Sequence, residues 1–327
     1  MKQKRVAVFM GGVSAEHEIS VRSGTQVLKA LESERPLAVL IGKDRSFTVD
    51  EQRHTTIGAA LDHLLAEADV AFLALHGPFG EDGTVQGLLE VLNLPYTGSA
   101  VAASALAMDK IRTKDLYRAR GLPTSDSFVF AGALEPGRLA EVEHGLGFPV
   151  VVKPSKNGSS VGVSFPKDRV TLENEVRRLL HEGNEVLVER FIRGREFTCG
   201  VLESVEGGWI KALPVTEIIP DRKYEFFDYE AKYTPGATNE VTPADLPKPI
   251  FEEMQRLAVA AHRALGCRDF SRTDIMLDPA RGPLLLETNT IPGLTQQSLL
   301  PQAAQVAGLP FPELVRLLVD NARRRHP

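Results

Sequence analysis

Two short segments near the C-terminus, SRTDIMLD (271–278) and LLLETN (284–289), carry an arginine, two acids and an amide at alternate positions. Side chains at i and i+2 share one face of a strand, so Arg272 points with Asp274, and Glu287 with Asn289. If the two strands pair with these faces together, three oxygen donors and a guanidinium converge. Leu284, Leu286, Ile275 and Leu277 would then form the opposite, apolar face. On a solvated sheet such residues are ordinarily surface ion pairs. Two carboxylates and a carboxamide without His or Cys are also the donor set that suits Mg²⁺, which completes its octahedron with substrate phosphates and water.

A nucleotide is therefore the partner to look for. After the apolar run FPVVV comes KPSKNGSSVG (153–162), with two lysines, three serines and two glycines. Backbone N–H groups, hydroxyls and ammonium groups bind phosphate, and glycine lets the backbone approach closely. A plain hairpin has the same composition, and the lysine comes first, so the segment is not a P-loop. Lys110 is a second cation, although a lone helical lysine is commonly solvated. In EVLVERFIRGREF (185–197), Glu189 and Glu196 flank a turn. Carboxylates bind ribose hydroxyls and strand backbone can read an adenine edge, while two exposed glutamates explain the pattern equally well.

The elements that must position these groups follow from hydrophobic periodicity. RVAVFMGG reads as a strand and glycine turn, followed by an amphipathic helix capped by Ser14. DVAFLALHG and TVQGLLEVL repeat that plan, so the N-terminal part is a parallel βα unit that points Glu16 and His76 at one edge. VAASALAMDKIRTKDLYRARG reads as one long helix closed by Gly121. From 124 to about 205 the pattern is strand, loop, strand, helix, strand, strand, with EVLVERFI and EFTCGVLES as paired strands. The last region holds the strand WIKALPVTEII, a polar and aromatic loop from 220 to 247, the helix IFEEMQRLAVAAHRALG and the hairpin. A loop of that length, rich in aromatics, is expected to be a lid.

The 327 residues suffice for two or three domains, and a net charge of -5 argues against nucleic acid as the main partner. The basic clusters RRLLHEG and ARRRHP read as solvated helix faces and a tail. No apolar run reaches the ~20 residues of a membrane span. The N-terminal apolar stretch is too short for a signal-peptide core. Cys199 and Cys267 suit a reducing cytoplasm and inert packing.

The order GGVSAEHEIS, HGPFGEDGTVQG, MDK, VVKPSKNGSSVGVS, VERFIRGREFT, YEAKYTPG, SRTDIMLD and LLETNTIPGLTQQSLLP resembles the D-alanine–D-alanine ligases of the ATP-grasp superfamily, from Val6 to about Pro301. The resemblance implies an α/β and α+β ATP-grasp fold in three domains: a parallel βα domain (1–122), a central antiparallel α+β domain (123–205), and a C-terminal α+β domain (206–327) with the lid loop 220–247. The nucleotide would lie between the last two. It implies a cytoplasmic, homodimeric enzyme that makes a peptidoglycan precursor. The carboxylate of one D-alanine attacks the γ-phosphate of ATP, and the amine of a second displaces phosphate from the acyl phosphate.

The resemblance also assigns roles. Lys110, Lys153, Ser160, Glu189, Glu196 and Lys232 would bind ATP. Asp274, Glu287 and Asn289 would hold Mg²⁺ or Mn²⁺, as two ions bridged by Glu287. Arg272 and the Gly293 N–H would stabilise the oxyanion. Glu16 would accept the first D-alanine's ammonium and join Ser159 and Tyr233 in closing the lid, while Ser298 and the Leu299 N–H would hold the second carboxylate. His76 would orient substrate or move a proton, and Lys156 would face solvent. Two positions depart from the family pattern, TQQS before Leu299 and Arg190 where lysine is common. The alternatives are an ATP-grasp ligase for another pair, such as D-alanine with D-lactate, and a non-catalytic nucleotide-binding module.

Overall fold

The computed structural model describes residues 5–158, 161–220 and 238–325. Strand β1 (Arg5–Gly11) is almost wholly apolar and buried on both faces, as a central parallel strand must be. It pairs in parallel with β2 (Leu37–Ile41) and β5 (Ala68–Leu73), and β3 (Phe47–Val49) and β4 (Gln52–Arg53) extend the sheet in antiparallel sense beyond β2. The connecting helices are α1 (His17–Ala30) and α2 (Ile57–Glu67), and α3 (Thr84–Val91) follows β5. Ser14 does not cap α1 as expected, because the helix begins three residues later. Its Oγ instead accepts from the Glu16 N–H (3.2 Å) and donates to the His76 carbonyl (2.7 Å), joining the two loops that carry those residues.

The expected long helix is two helices, α4 (Val101–Met108) and α5 (Lys110–Ala119). Asp109 lies between them with φ -90° and ψ 99°, and its carboxylate accepts from the backbone N–H of Ile111 and Arg112. Aspartate competes with the helical ladder in this way, which makes it a cap rather than a helix interior residue. Lys110 is thus the first residue of a helix, not the middle of one.

Strands β6 (Ser127–Phe130), β7 (Val150–Pro154) and β8 (Val186–Arg190) form an antiparallel sheet in the order β6-β8-β7. Helices α6 (Arg138–Leu146) and α7 (Arg169–His181) cover it, and α6 occupies a segment expected to be loop. Its Leu139, Val142 and Leu146 supply a buried stripe at helical spacing.

The pairing expected between β8 and β9 (Arg195–Ser204) does not form. Both edges of β8 are taken by β6 and β7, and β9 lies inside a six-stranded sheet with β10 (Trp209–Ala212), β11 (Thr216–Pro220), β12 (Thr238–Val241), β13 (Phe270–Asp278) and β14 (Gly282–Asn289). A cut at 205 would separate β9 from all its partners. The segment WIKALPVTEII is two strands, both paired with β9, interrupted at Pro214, which has no N–H to donate. Part of the expected lid is also a strand, β12, paired with β11. The remainder, 221–237, lies outside the described residues.

Helices α8 (Lys248–Leu265), α9 (Leu299–Val306) and α10 (Phe311–Arg325) complete the chain. The last returns to the first sheet, where Leu314, Val315, Leu318 and Val319 share a core with Val8 and Phe72. Its arginines are no solvated tail: Arg323 Nε lies 3.1 Å from Asp69, and Arg325 pairs with the buried Asp269. Among the described residues no helix is long and apolar enough to cross a membrane. Replacing Asp109 with Ala removes the cap of α5 and the Ser155 hydroxyl's acceptor at 2.5 Å. The expected loss is about 1–2 kcal/mol, checked by urea unfolding.

Candidate active site

The hairpin β13–β14 sets Arg272 opposite Asn289 and Asp274 opposite Glu287, so the four side chains share one face as their alternation predicts. A bulge follows immediately, between Asp274 and Ile275. It shifts the apolar face: Ile275 and Leu285 enter the core, and Leu286, expected with them, lines a cavity instead beside Met276.

Each carboxylate on this face meets a cation. The Nε and Nη2 of Arg272 donate to the two oxygens of Asp274, both at 2.9 Å, a bidentate pair that fixes both planes. Thr198 Oγ1 (2.7 Å) and Asn289 Nδ2 (3.2 Å) also donate to Asp274. Glu287 lies 3.1 Å from Lys110 Nζ, which also donates to the Asn157 carbonyl at 2.7 Å. Among the described residues no three His, Cys, Asp or Glu side chains form a metal cluster. A third oxygen donor to a cation on this face would come from Asn289. Two carboxylates and an amide oxygen on one strand pair fit a hard cation such as Mg²⁺.

Two cavities, of about 290 and 410 Å³, meet at this face and share Lys110, Asn157, Glu196, Ile218, Asp274 and Glu287. The first also holds Glu16, His76, Glu81, Arg272, Gly293, Ser298 and Leu299. The second holds Lys153 and Glu189 beside Val151, Phe165, Phe191 and Met276. Apolar and aromatic side chains beside many charged groups suit an aromatic base and its phosphates. The acidic pair stands on the common wall.

In the first cavity the loop after β14 is held from the N-terminal region. Glu81 accepts from the N–H of Gly77 (2.8 Å) and of Ile291 (3.0 Å), and the Ile291 carbonyl takes His76 Nδ1 (3.1 Å). His76 Nε2 meets the Ser23 hydroxyl at 2.9 Å. Burial pulls the His76 pKa below its ordinary value against the pull of Glu16, so the ring is neutral, with both nitrogens engaged. Burial, then the Glu16 charge, pushes Glu81 up to about 8. The Glu16 carboxylate sits between two glycines. A Cβ on Gly77 or on Gly158 would stand 2.5 or 2.7 Å from its Oε2, so a side chain at either position would displace the carboxylate, and Gly77, with φ +74°, also takes a backbone conformation that favours glycine. Gly293 likewise packs where a Cβ would strike Ser298 Oγ at 2.8 Å. Ser298 precedes α9 without capping it by its side chain, and Ser298 and Leu299 both line the first cavity.

At the wall of the second cavity Lys153, and behind it Lys114, both pair with the buried Glu189. Burial raises the Glu189 carboxyl, but Lys114 and then Lys153 overcome it and hold the group at about 2. Burial likewise lowers Lys153, while Glu189 and Glu287 keep it above its usual value. Lys156, as expected, is largely exposed. Ser159, Ser160, Lys232 and Tyr233 lie outside the described residues. Glu81 and Lys114 were missed by sequence reasoning. Glu81 stood within HGPFGEDG, and Lys114 lies one helical turn after Lys110, on the same face.

The sequence matches the family described as "D-ala D-ala ligase N-terminus" over residues 5–99 and "D-ala D-ala ligase C-terminus" over residues 116–320. The chain belongs to the D-alanine–D-alanine ligase family. It is 45% identical over 317 residues to the D-alanine–D-alanine ligase of Syntrophobacter fumaroxidans, covering 97% of each chain. To that of Desulforudis audaxviator it is 45% identical, covering 98% of this chain and 99% of the other. The solved ligase of Bacillus anthracis complexed with ATP is 32% identical with TM-score 0.79, covering 99% of each chain. The VanG D-Ala:D-Ser ligase of Enterococcus faecalis is 28% identical with TM-score 0.83, covering 98% of this chain and 100% of the other. The ATP-grasp fold and ATP-dependent ligation of a carboxylate to an amine are those of this family.

Because Glu189 titrates at about 2 in the folded state against an ordinary 4.5, its contribution to stability is present above pH 4.5 and fades as pH falls towards 2. A Glu189→Gln variant should therefore show a flatter decline of urea midpoint between those pH values than the parent protein.

Proposed function

We propose that the chain joins two D-alanines, with ATP cleaved to ADP and phosphate, to give D-alanyl-D-alanine for peptidoglycan. The observation that carries this reading is the common wall of the two cavities, where Asp274 and Glu287 face each other with Arg272 and Lys110 bound to them. A phosphoryl group crossing between a nucleotide on one side and a carboxylate on the other passes this wall.

In this reading Lys153, Glu189 and Glu196 bind ATP on one side, with Lys110 at the boundary as a cationic clamp. Ser160 and Lys232 are assigned to the same task from the family pattern. Glu16 receives the first D-alanine's ammonium, with Ser159 and Tyr233 assigned as its partners in closure. The carboxylate of that D-alanine attacks the γ-phosphorus and ADP departs. The amine of the second D-alanine, whose carboxylate is held by Ser298 and the Leu299 N–H, then adds to the acyl carbon. Arg272, already aligned by Asp274, and the Gly293 N–H take the oxyanion as phosphate leaves. His76 has no nitrogen to spare for a proton and acts by fixing Ile291, the loop residue two before Gly293. Asp274, Glu287 and Asn289 would hold one or two Mg²⁺ or Mn²⁺ ions. Such ions supply charge neutralisation of the transferring phosphoryl group.

We further place the boundary of the central unit in the connection 191–194 rather than at 205, since β9 belongs to the six-stranded sheet. A cytoplasmic homodimer is part of the same proposal. The likeness to a D-Ala:D-Ser ligase indicates that one fold accommodates different second substrates, so the acceptor must be assayed. With ATP and Mg²⁺, phosphate release is expected with D-alanine alone and not with L-alanine. Release that requires added D-serine or D-lactate would instead favour the other acceptor.

Glu287→Gln should lower kcat by at least about 10²-fold. Undiminished turnover of that variant would remove the metal assignment.

A further inference from the structure

Among the described residues Lys114 is the most deeply buried lysine near the site, with a side chain wholly closed to solvent, and it lines neither cavity. An ammonium in such a place needs partners for its charge and for all three N–H bonds. It has them: the hydroxyls of Thr124 (2.6 Å) and Ser125 (2.9 Å) and the Oε1 of Glu189. Ser125 also donates to that same Oε1 at 2.5 Å. The other oxygen, Oε2, takes Lys153. One carboxylate therefore serves two lysines. Only one of them, Lys153, reaches the second cavity.

This division has an electrostatic consequence. With Lys153 alone, Glu189 would form a neutral pair, its Oε1 met by the Ser125 hydroxyl and no cation. With Lys114 present the three groups carry a net positive charge, displayed at the cavity by Lys153. We propose that Lys114 is a positioning residue for the nucleotide: from behind the cavity wall it engages one oxygen of Glu189 and so leaves Lys153 available to the phosphates. The proposal rests on assigning the second cavity to ATP.

The test uses the full-length enzyme and Lys114→Met, close in shape and uncharged. ATP dissociation constants should rise about tenfold, as expected for removing one charge-assisted contact. The KM for D-alanine should stay within about twofold, since uniform nucleotide binding alone is lost. The loss should grow from adenosine through ADP to ATP and shrink at high salt. Unchanged ATP affinity, or an equal loss for adenosine and ATP, would overturn the proposal. In a Glu189→Gln background Lys114→Met should have no further effect, and an equal further loss would also overturn it.

If Lys114→Met does not fold, the double variant, which removes both buried charges, is compared with Glu189→Gln in the same way. Lys153→Ala separates the two levels of the argument. Should it bind ATP like the parent, the nucleotide assignment itself falls. Should it lose ATP while Lys114→Met does not, only the role of Lys114 falls.

Discussion

The structure turns on the opposition of two carboxylates, Asp274 and Glu287, across one strand pair. Like charges placed directly opposite one another repel, and more strongly where water is excluded. The fold meets this constraint with two cations from different places. Arg272 comes from the same strand and Lys110 from the start of α5. The break in the helix at Asp109, the carbonyl of Asn157 and the strand register all serve to bring that lysine to Glu287. A metal–nucleotide complex would relieve the same repulsion.

The same logic extends to the edges of the site. Buried charges at Glu189, Lys114 and Lys153 are satisfied in one connected set. Glu81 and His76 hold Ile291 by both its backbone groups, which ties the loop after β14 to the N-terminal region. The C-terminal helix closes the circuit through the core it shares with the first sheet and through Arg323 and Arg325. Movement of one region against another would disturb substrate contacts directly, because both sides of the first cavity come from segments far apart in sequence.

Legibility in the sequence followed the range of the interaction. The period-two alternation of Arg272, Asp274, Glu287 and Asn289 is local, and the register agreed with it. The adjacent bulge has no comparable signature, so Leu286 was placed on the wrong face. Asp109 inside an alanine-rich run looked like a polar helix residue, although aspartate is a common cap. The partner of β9 is set by which strand edges remain open, a non-local matter, and β8 was the wrong choice for that reason. Lys114 carries no reading of its own in the sequence. Only the fold buries it against Ser125 and Glu189.

The central claim is that the acidic wall conducts phosphoryl transfer from ATP to a D-alanine carboxylate. The most direct measurement uses D-alanine labelled with heavy oxygen in its carboxylate, incubated with the enzyme, ATP and Mg²⁺, followed by mass analysis of the released phosphate. The account predicts one carboxylate oxygen transferred to each phosphate released. Phosphate carrying oxygen from water instead, at the same rate of ATP cleavage, would contradict it.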